Sequence, residues 1–187
     1  CNHVVKAFNE SGQLTQSLVL NRIKLSIENR NYSLARYLSS GLDDEHKEQY
    51  KVWEELSSNP KLIINDTTEY IDTPFIRFSI NYALLKLLKE DPPLVLTLWK
   101  ELQNKYSYKQ EEIITFTEKA AVKLIIQRSE HIISWLEIAN PSHENKKLNL
   151  KELVIHIKNH DWPLIINLYG KISDEEKNEA IWQYWYA

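Results

Sequence analysis

Apolar residues recur along this chain three and four positions apart, the period of an α-helix with one buried side. Val4, Val5 and Phe8 predict the tail of a first helix, stopped at Ser11-Gly12. Leu18, Leu20, Ile23, Leu25 and Ile27 predict a second helix ending near Asn29. A third is capped by Asn31 and closes at Gly41, and a fourth runs from Asp43 through Tyr50, Val52, Trp53 and Leu56 to the Asn59-Pro60 break. Lys61 to Asn65 is apolar but short, enough for one or two turns. The helix that Pro74 opens, capped by Thr73 or Asp72, carries two apolar rows and should be sandwiched between neighbours. Asp91-Pro92-Pro93 starts a helix that ends about Tyr106, and Gln110 to Gln127 reads as a clean amphipathic helix. Ser129 to Ile138 predicts another helix, Pro141 to Lys147 a loop, and Leu150 to about Asn159 a further helix. Asp161-Trp162-Pro163 opens a helix with Gly170 as its stop. The capping box of Ser173 and Glu176 then predicts a single helix to the end of the chain, apolar all round near its terminus.

A repeat underlies this order. Setting Asn31 against Asp161 aligns Leu34, Leu38 and Leu42 with Leu164, Leu168 and Ile172, and Asp43-Asp44-Glu45 with Ser173-Asp174-Glu175. A weaker copy begins at Asp91, where Leu94, Leu98 and Leu102 take the same places. A recurring helix, short turn and capped helix is the signature of an α-solenoid, whose units bury their faces by stacking on neighbours. An apolar helix at the end of such an array is expected to be covered by further helices, so residues 1–187 read as one superhelical segment of something longer.

Composition narrows the function. With 187 residues, 43% of them hydrophobic, the chain can bury a substantial core, and three glycines and six prolines are few for a protein of tight β-turns. A net charge of -3 argues against a nucleic-acid partner, because neutralising phosphates needs a basic surface. No apolar run approaches the roughly 20 residues of a bilayer span. The sequence has no methionine, which places residue 1 downstream of a translational start. Cys1, the single cysteine, fits a lipid-bearing lipoprotein residue, half of a disulfide whose partner lies outside these residues, or an inert thiol.

Candidate chemistry is sparse. His156 and His160 stand four apart, a spacing that can aim two imidazoles at one metal, but the glutamate of a zinc-protease helix is replaced by Ile157. The pair therefore reads as surface or helix-end histidines, and neither metal nor cofactor is expected. The adjacent acids Glu54-Glu55, Glu111-Glu112 and Asp174-Glu175-Glu176 could do glycosidase work as pairs. They fall on polar faces or first helical turns, where the helix dipole favours negative charge in contact with water. No phosphate loop or nucleophile elbow is present, so no catalytic residue is assigned. Trp53, Trp99, Trp135, Trp182 and Trp185 are read as structural aromatics on or beside apolar rows, although aromatic faces also suit the apolar side of sugar rings.

Two stretches carry a family resemblance. Cys1 with Phe8-Asn9-Glu10-Ser11-Gly12, Leu18 to Ile27 and Asn31 to Leu42, and at the other end Trp182-Gln183-Tyr184-Trp185-Tyr186-Ala187, resemble the large superhelical domain of bacterial soluble lytic transglycosylases. The resemblance implies an all-α superhelix, a segment of a ring-like, non-catalytic domain in a periplasmic enzyme of peptidoglycan turnover. Such an enzyme cleaves the β-1,4 bond between N-acetylmuramic acid and N-acetylglucosamine, leaving a 1,6-anhydro end. The chemistry would belong to a separate lysozyme-like domain, whose Glu-Ser motif and following glycine-rich stretch are absent here. The partners implied are glycan strands and the enzyme's own catalytic domain. The resemblance also implies that Cys1 pairs with an upstream cysteine, which makes the lipoprotein reading second choice. A free-standing helical-repeat scaffold that binds a protein partner is the alternative, and a hydrolase using one of the acid pairs is a third.

Overall fold

A computed structural model describes residues 15–64, 70–127 and 129–186. The expected first helix, with Cys1, lies outside the described residues. Among the described residues there are eleven α-helices, one 3-10 turn and no strand. In chain order they are α1 (Gln16–Glu28), α2 (Tyr32–Ser39), α3 (Asp44–Ser58), the 3-10 turn Pro60–Ile64, α4 (Pro74–Leu87), α5 (Pro92–Lys105), α6 (Gln110–Gln127), α7 (Ile132–Ala139), α8 (Lys146–Asn159), α9 (Trp162–Lys171), α10 (Asp174–Lys177) and α11 (Ala180–Tyr186). The chain folds as two compact units, one comprising residues 1–87 and 98–107, the other 88–97 and 108–187.

Short polar side chains start these helices. Asn31, Asp43 and Asp91 accept from the amides of Leu34, His46 and Leu94 at 3.2, 3.0 and 3.0 Å, and Ser173 accepts from Glu176 at 3.3 Å. Of the two residues able to open α4, Thr73 does so, taking the Ile76 amide at 3.2 Å. The turn between α1 and α2 places Arg30 in the left-handed region at φ 59°, and Asn31 N–H reaches back to the Ser26 carbonyl at 2.8 Å. His160 does the same between α8 and α9, again at φ 59°, with Asp161 N–H on the His156 carbonyl at 2.9 Å. This is the Schellman arrangement at both places. The repeat in sequence is thus a repeat in structure, and it reaches one helix further upstream than the aligned letters.

In the first unit α1, α2, α3 and α4 meet around Ile23, Ile27, Ala35, Leu42, Trp53 and Phe75. In the second unit the corresponding cluster is Leu153, Ile165, Leu168, Ile172 and Trp182. An ion pair with one buried partner braces the first unit: Arg77, 5% exposed, reaches Asp72, which also accepts from the Ser107 amide at 2.7 Å. Partial burial pulls the Asp72 carboxyl up, but the Ser107 amide and Arg77 together outweigh it and hold the group below the ordinary aspartate value.

Several expectations are corrected. The helix from Ser173 does not run on: α10 stops at Lys177, Asn178 caps it, and α11 begins at Ala180. Glu176 and Trp182 are each 1% exposed, yet six residues at about 100° each would set them on different faces of one continuous helix. Breaking the helix lets both be buried. Gly170 is no stop but lies inside α9, which ends at Lys171. The loop before α8 is shorter than expected, because Asn145 caps at Lys146 by accepting from Lys147 and Leu148. The copy beginning at Asp91 shares the first helix only, since α5 continues through Leu102 to Lys105 without the turn.

Candidate functional site

The residues singled out for chemistry are dispersed. His156 is buried at 3% exposure on α8, a correction to its reading as a surface group, whereas His160 is the left-handed cap beyond the helix end. The two therefore do not share a helical face. His156 instead faces Glu152 at 3.7 Å and Asp161 at 3.8 Å, and Glu152 faces His143 at 3.8 Å. At those separations none of the contacts is a hydrogen bond, and the Nδ1 atoms of both histidines are buried without a partner. No group of three or more metal-ligating side chains among the described residues is placed to hold an ion.

Glu176 also departs from its solvated reading. Its carboxylate accepts from Asn149 Nδ2 at 2.9 Å and from the Ser173 hydroxyl at 3.1 Å, and its own N–H closes the capping box. Asn149, fully buried, donates to the His143 carbonyl at 2.8 Å and accepts from Asn140 Nδ2 at 2.6 Å. Held by one hydrogen bond on each oxygen, the carboxylate locks the 140–145 turn to α8 and α10.

Trp53, Trp99, Trp135 and Trp182 are buried, and Trp185 is half-buried. The indole N–H groups of Trp53, Trp135 and Trp182 find no hydrogen-bond partner, so these rings act through packing. Trp185 stacks on Trp162 with centroids 6.3 Å apart and meets Tyr184 edge-on at 5.1 Å, while Tyr169 and Tyr186 stack at 3.9 Å. Trp162, Tyr184 and Tyr186 are exposed, so the second unit presents an aromatic surface along α9 and α11.

The first unit carries a cleft. It encloses about 420 Å³ among the start of α1, the first turns of α3 and the start of α4. Leu20, Phe75 and Gln49 are its buried floor, Lys24, His46 and Thr73 its half-buried walls, and Ser17, Asn21 and Glu45 its exposed rim. Two side chains there have fixed orientations. The Thr73 hydroxyl accepts the Ile76 amide and donates to Gln49 Oε1 at 2.7 Å, which fixes the way the Gln49 amide is turned. His46 Nδ1 lies 2.7 Å from Asp43 Oδ1, an acceptor, so Nδ1 donates and Nε2 is the remaining polar atom. The His46 backbone amide, then its ring, hold the Asp43 carboxyl below the usual range. Apolar periodicity predicts the helices that form this cleft, but not that His46 and Gln49, three apart on α3, would face a void.

Among solved structures, the chain shares its fold with soluble lytic transglycosylases. An inactive mutant of the lytic transglycosylase Slt from Pseudomonas aeruginosa superposes with a TM-score of 0.80 at 19% identity, over 99% of this chain and 30% of that one. The 70-kDa soluble lytic transglycosylase in complex with bulgecin A gives 0.75 at 16% identity, over 100% of this chain and 30% of that one. The 70-kDa enzyme from Escherichia coli gives 0.73 at 16% identity, with the same coverage. No family model and no curated protein matches the chain. The chain spans 30% of the length of these structures, and its fold is the all-α superhelix of their helical region. The resemblance read from the sequence holds at the level of fold. No helix among the described residues is long and apolar enough to cross a membrane.

Proposed function

We propose that residues 1–187 form a non-catalytic superhelical segment of a periplasmic soluble lytic transglycosylase, which positions the catalytic domain and contacts peptidoglycan glycan strands. The observation that carries this reading is the likeness of fold over 99% of the chain to a lytic transglycosylase. Two features on the page are compatible with it. Glu176, one of the acids that could have served in a cleaving pair, is held by Asn149 and Ser173, and the chain offers a polar cleft and an aromatic surface. The enzyme would cut between N-acetylmuramic acid and N-acetylglucosamine in a different domain.

Co-sedimentation with purified, protein-free peptidoglycan sacculi tests the contact. The chain is expected in the pellet, released by soluble glycan fragments. A chain that stays in the supernatant at every sacculus concentration contradicts the reading. A protein-binding scaffold is the second reading, favoured by the exposure of Trp162, Ile166, Ile181 and Tyr184 in the second unit. Under it, mutating those four positions abolishes partner binding and leaves sedimentation unchanged.

A further inference from the structure

We infer that the turn between α8 and α9 is a proton-operated switch: the Asp161 carboxylate pairs with His156 when that ring is protonated and caps α9 at the Leu164 amide when it is not. The inference stands apart from the function proposed above and rests on the two copies of the turn.

The alignment of Asn31 with Asp161 also sets Ser26 against His156 and Arg22 against Glu152. The backbone is alike in both copies, φ -91° and ψ 68° at Asn31, φ -86° and ψ 63° at Asp161. Asn31 caps its helix with its side chain, accepting from the Leu34 amide at 3.2 Å. Asp161 makes no side-chain cap, although aspartate caps as well as asparagine does, and the Leu164 amide takes the Asp161 main-chain carbonyl at 3.0 Å instead. The withheld carboxylate stands 3.8 Å from His156 Nδ1. In the first copy Ser26 donates to the Arg22 carbonyl at 2.8 Å and leaves Asn31 to its helix.

His156 is buried with a carboxylate facing each ring nitrogen, Glu152 at Nε2 and Asp161 at Nδ1. A neutral imidazole has one N–H, so one nitrogen must turn a lone pair toward a carboxylate, whereas an imidazolium has an N–H for each. Nδ1, buried and without a partner, is where the second proton goes. With that proton in place, a charge-assisted hydrogen bond draws Asp161 in. With it gone, the lone pair repels the carboxylate, and the amides and dipole of the first turn of α9 attract it. Side-chain rotation is sufficient, because the Asp161 backbone already matches that of the capped copy. The proton thus changes how the start of α9, with Trp162 next in the chain, is tied down.

The charged surroundings are few. His143, from the turn before α8, faces the other oxygen of Glu152 at 3.8 Å. On the helices packed against α8, Glu137 of α7 and Lys171 of α9 are exposed, and among the described residues neither forms an ion pair with His143 or His156. Glu176 and Glu175 of α10 reach α8 at Asn149 and Lys146, Glu118 of α6 reaches the cap residue Asn145, and the exposed His160 ring lies against Trp162.

An NMR titration of the chain between about pH 5 and 8 tests the switch. The His156 ring, the Asp161 carboxyl carbon and the Leu164 amide are expected to respond with one midpoint. The Leu164 amide proton should move downfield as the ring loses its proton and the carboxylate arrives. Asp161→Asn installs the residue of the first copy, which caps without carrying charge. In that variant the Leu164 amide should stay at its capped position at every pH while the His156 ring still titrates. The field of a charged ring alone would act on Leu164 in the variant too, so a Leu164 response that survives Asp161→Asn overturns the inference. A flat Leu164 or Asp161 signal while His156 titrates overturns it, as does a His156 ring that takes up no proton in this range. Unchanged amide dispersion verifies the fold of the variant. Asp161→Ser, a second side chain able to cap but not to carry charge, should show the same loss of response, and a response retained there also overturns the inference.

Discussion

The two copies of the repeated hairpin solve one problem in opposite ways. Asp43 and Ser173 sit at equivalent places, each capping the helix that follows, and three residues on His46 and Glu176 turn inward. In the first copy the inward residues stop short of neighbouring polar groups: His46 turns back to Asp43, Gln49 spends one atom on Thr73, and a cleft remains. In the second copy Glu176 is drawn in until it accepts from Asn149 and Ser173. Drawing it in costs continuity. The first copy buries Gln49, Tyr50, Trp53 and Leu56 on one stripe of a straight 15-residue helix, while the second must break to bury Trp182 as well. A repeat can thus keep its caps and turns while its copies bury different side chains.

The comparison can be broken most forcefully at Trp182. It is the largest member of the small cluster with Leu153, Ile165, Leu168 and Ile172, so Trp182→Ala should cost about 3–5 kcal/mol in chemical unfolding of the second unit. Trp182→Phe should cost far less than the alanine variant, because no hydrogen bond of its indole is lost. A loss equal to that of alanine would contradict the packing role. Next in size, Glu176→Ala should destabilise by roughly 2–3 kcal/mol by leaving one of the two amide hydrogens of Asn149 buried without its acceptor, whereas His46→Ala at the equivalent place should cost under about 1 kcal/mol. Equal losses at the two positions would erase the distinction between a buried, hydrogen-bonded Glu176 and a half-buried His46.

Acid acts on the first unit through Asp72. Asp72 titrates below its ordinary value in the folded state, so its contribution is present above the unfolded value near 3.8 and disappears as pH falls through the lowered native value. The protection of the Arg77 amide, corrected for the intrinsic pH dependence of exchange, should therefore fall across that window, and Asp72→Asn should remove this pH dependence. The smallest effect is expected at Asn178. Asn178→Glu installs the residue of the first copy, Glu48, and gains helix propensity worth less than about 0.5 kcal/mol. The break should persist, since burial of Trp182 maintains it, and a red shift of tryptophan emission would show instead that the helix had straightened.

Much of the architecture could be read from the letters because its signals are local. Asn31, Asp43 and Asp91 announce helix starts by side-chain chemistry alone, and the ends of α6 at Gln110 and Gln127 follow from periodicity. What escaped depends on contacts far apart in the chain. The interruption at Asn178 is set by partners of Glu176 and Trp182 that lie on other helices, and no spacing rule encodes it. Gly170 looks like a stop, yet α9 continues because the following turn must deliver Ile172 to the core. The cleft was least legible: His46 and Gln49 carry no motif, and only the approach of α4 through Thr73 shows which way Gln49 is turned.

Whether this chain handles glycan without cutting it is decided most directly by analysing what sacculi release. Purified sacculi incubated with the chain should retain it in the pellet, and mass spectrometry of the supernatant should find 1,6-anhydromuropeptides no higher than in buffer. Release of such products, abolished by substituting one of the chain's own acids, would place the reaction in these helices and contradict the account.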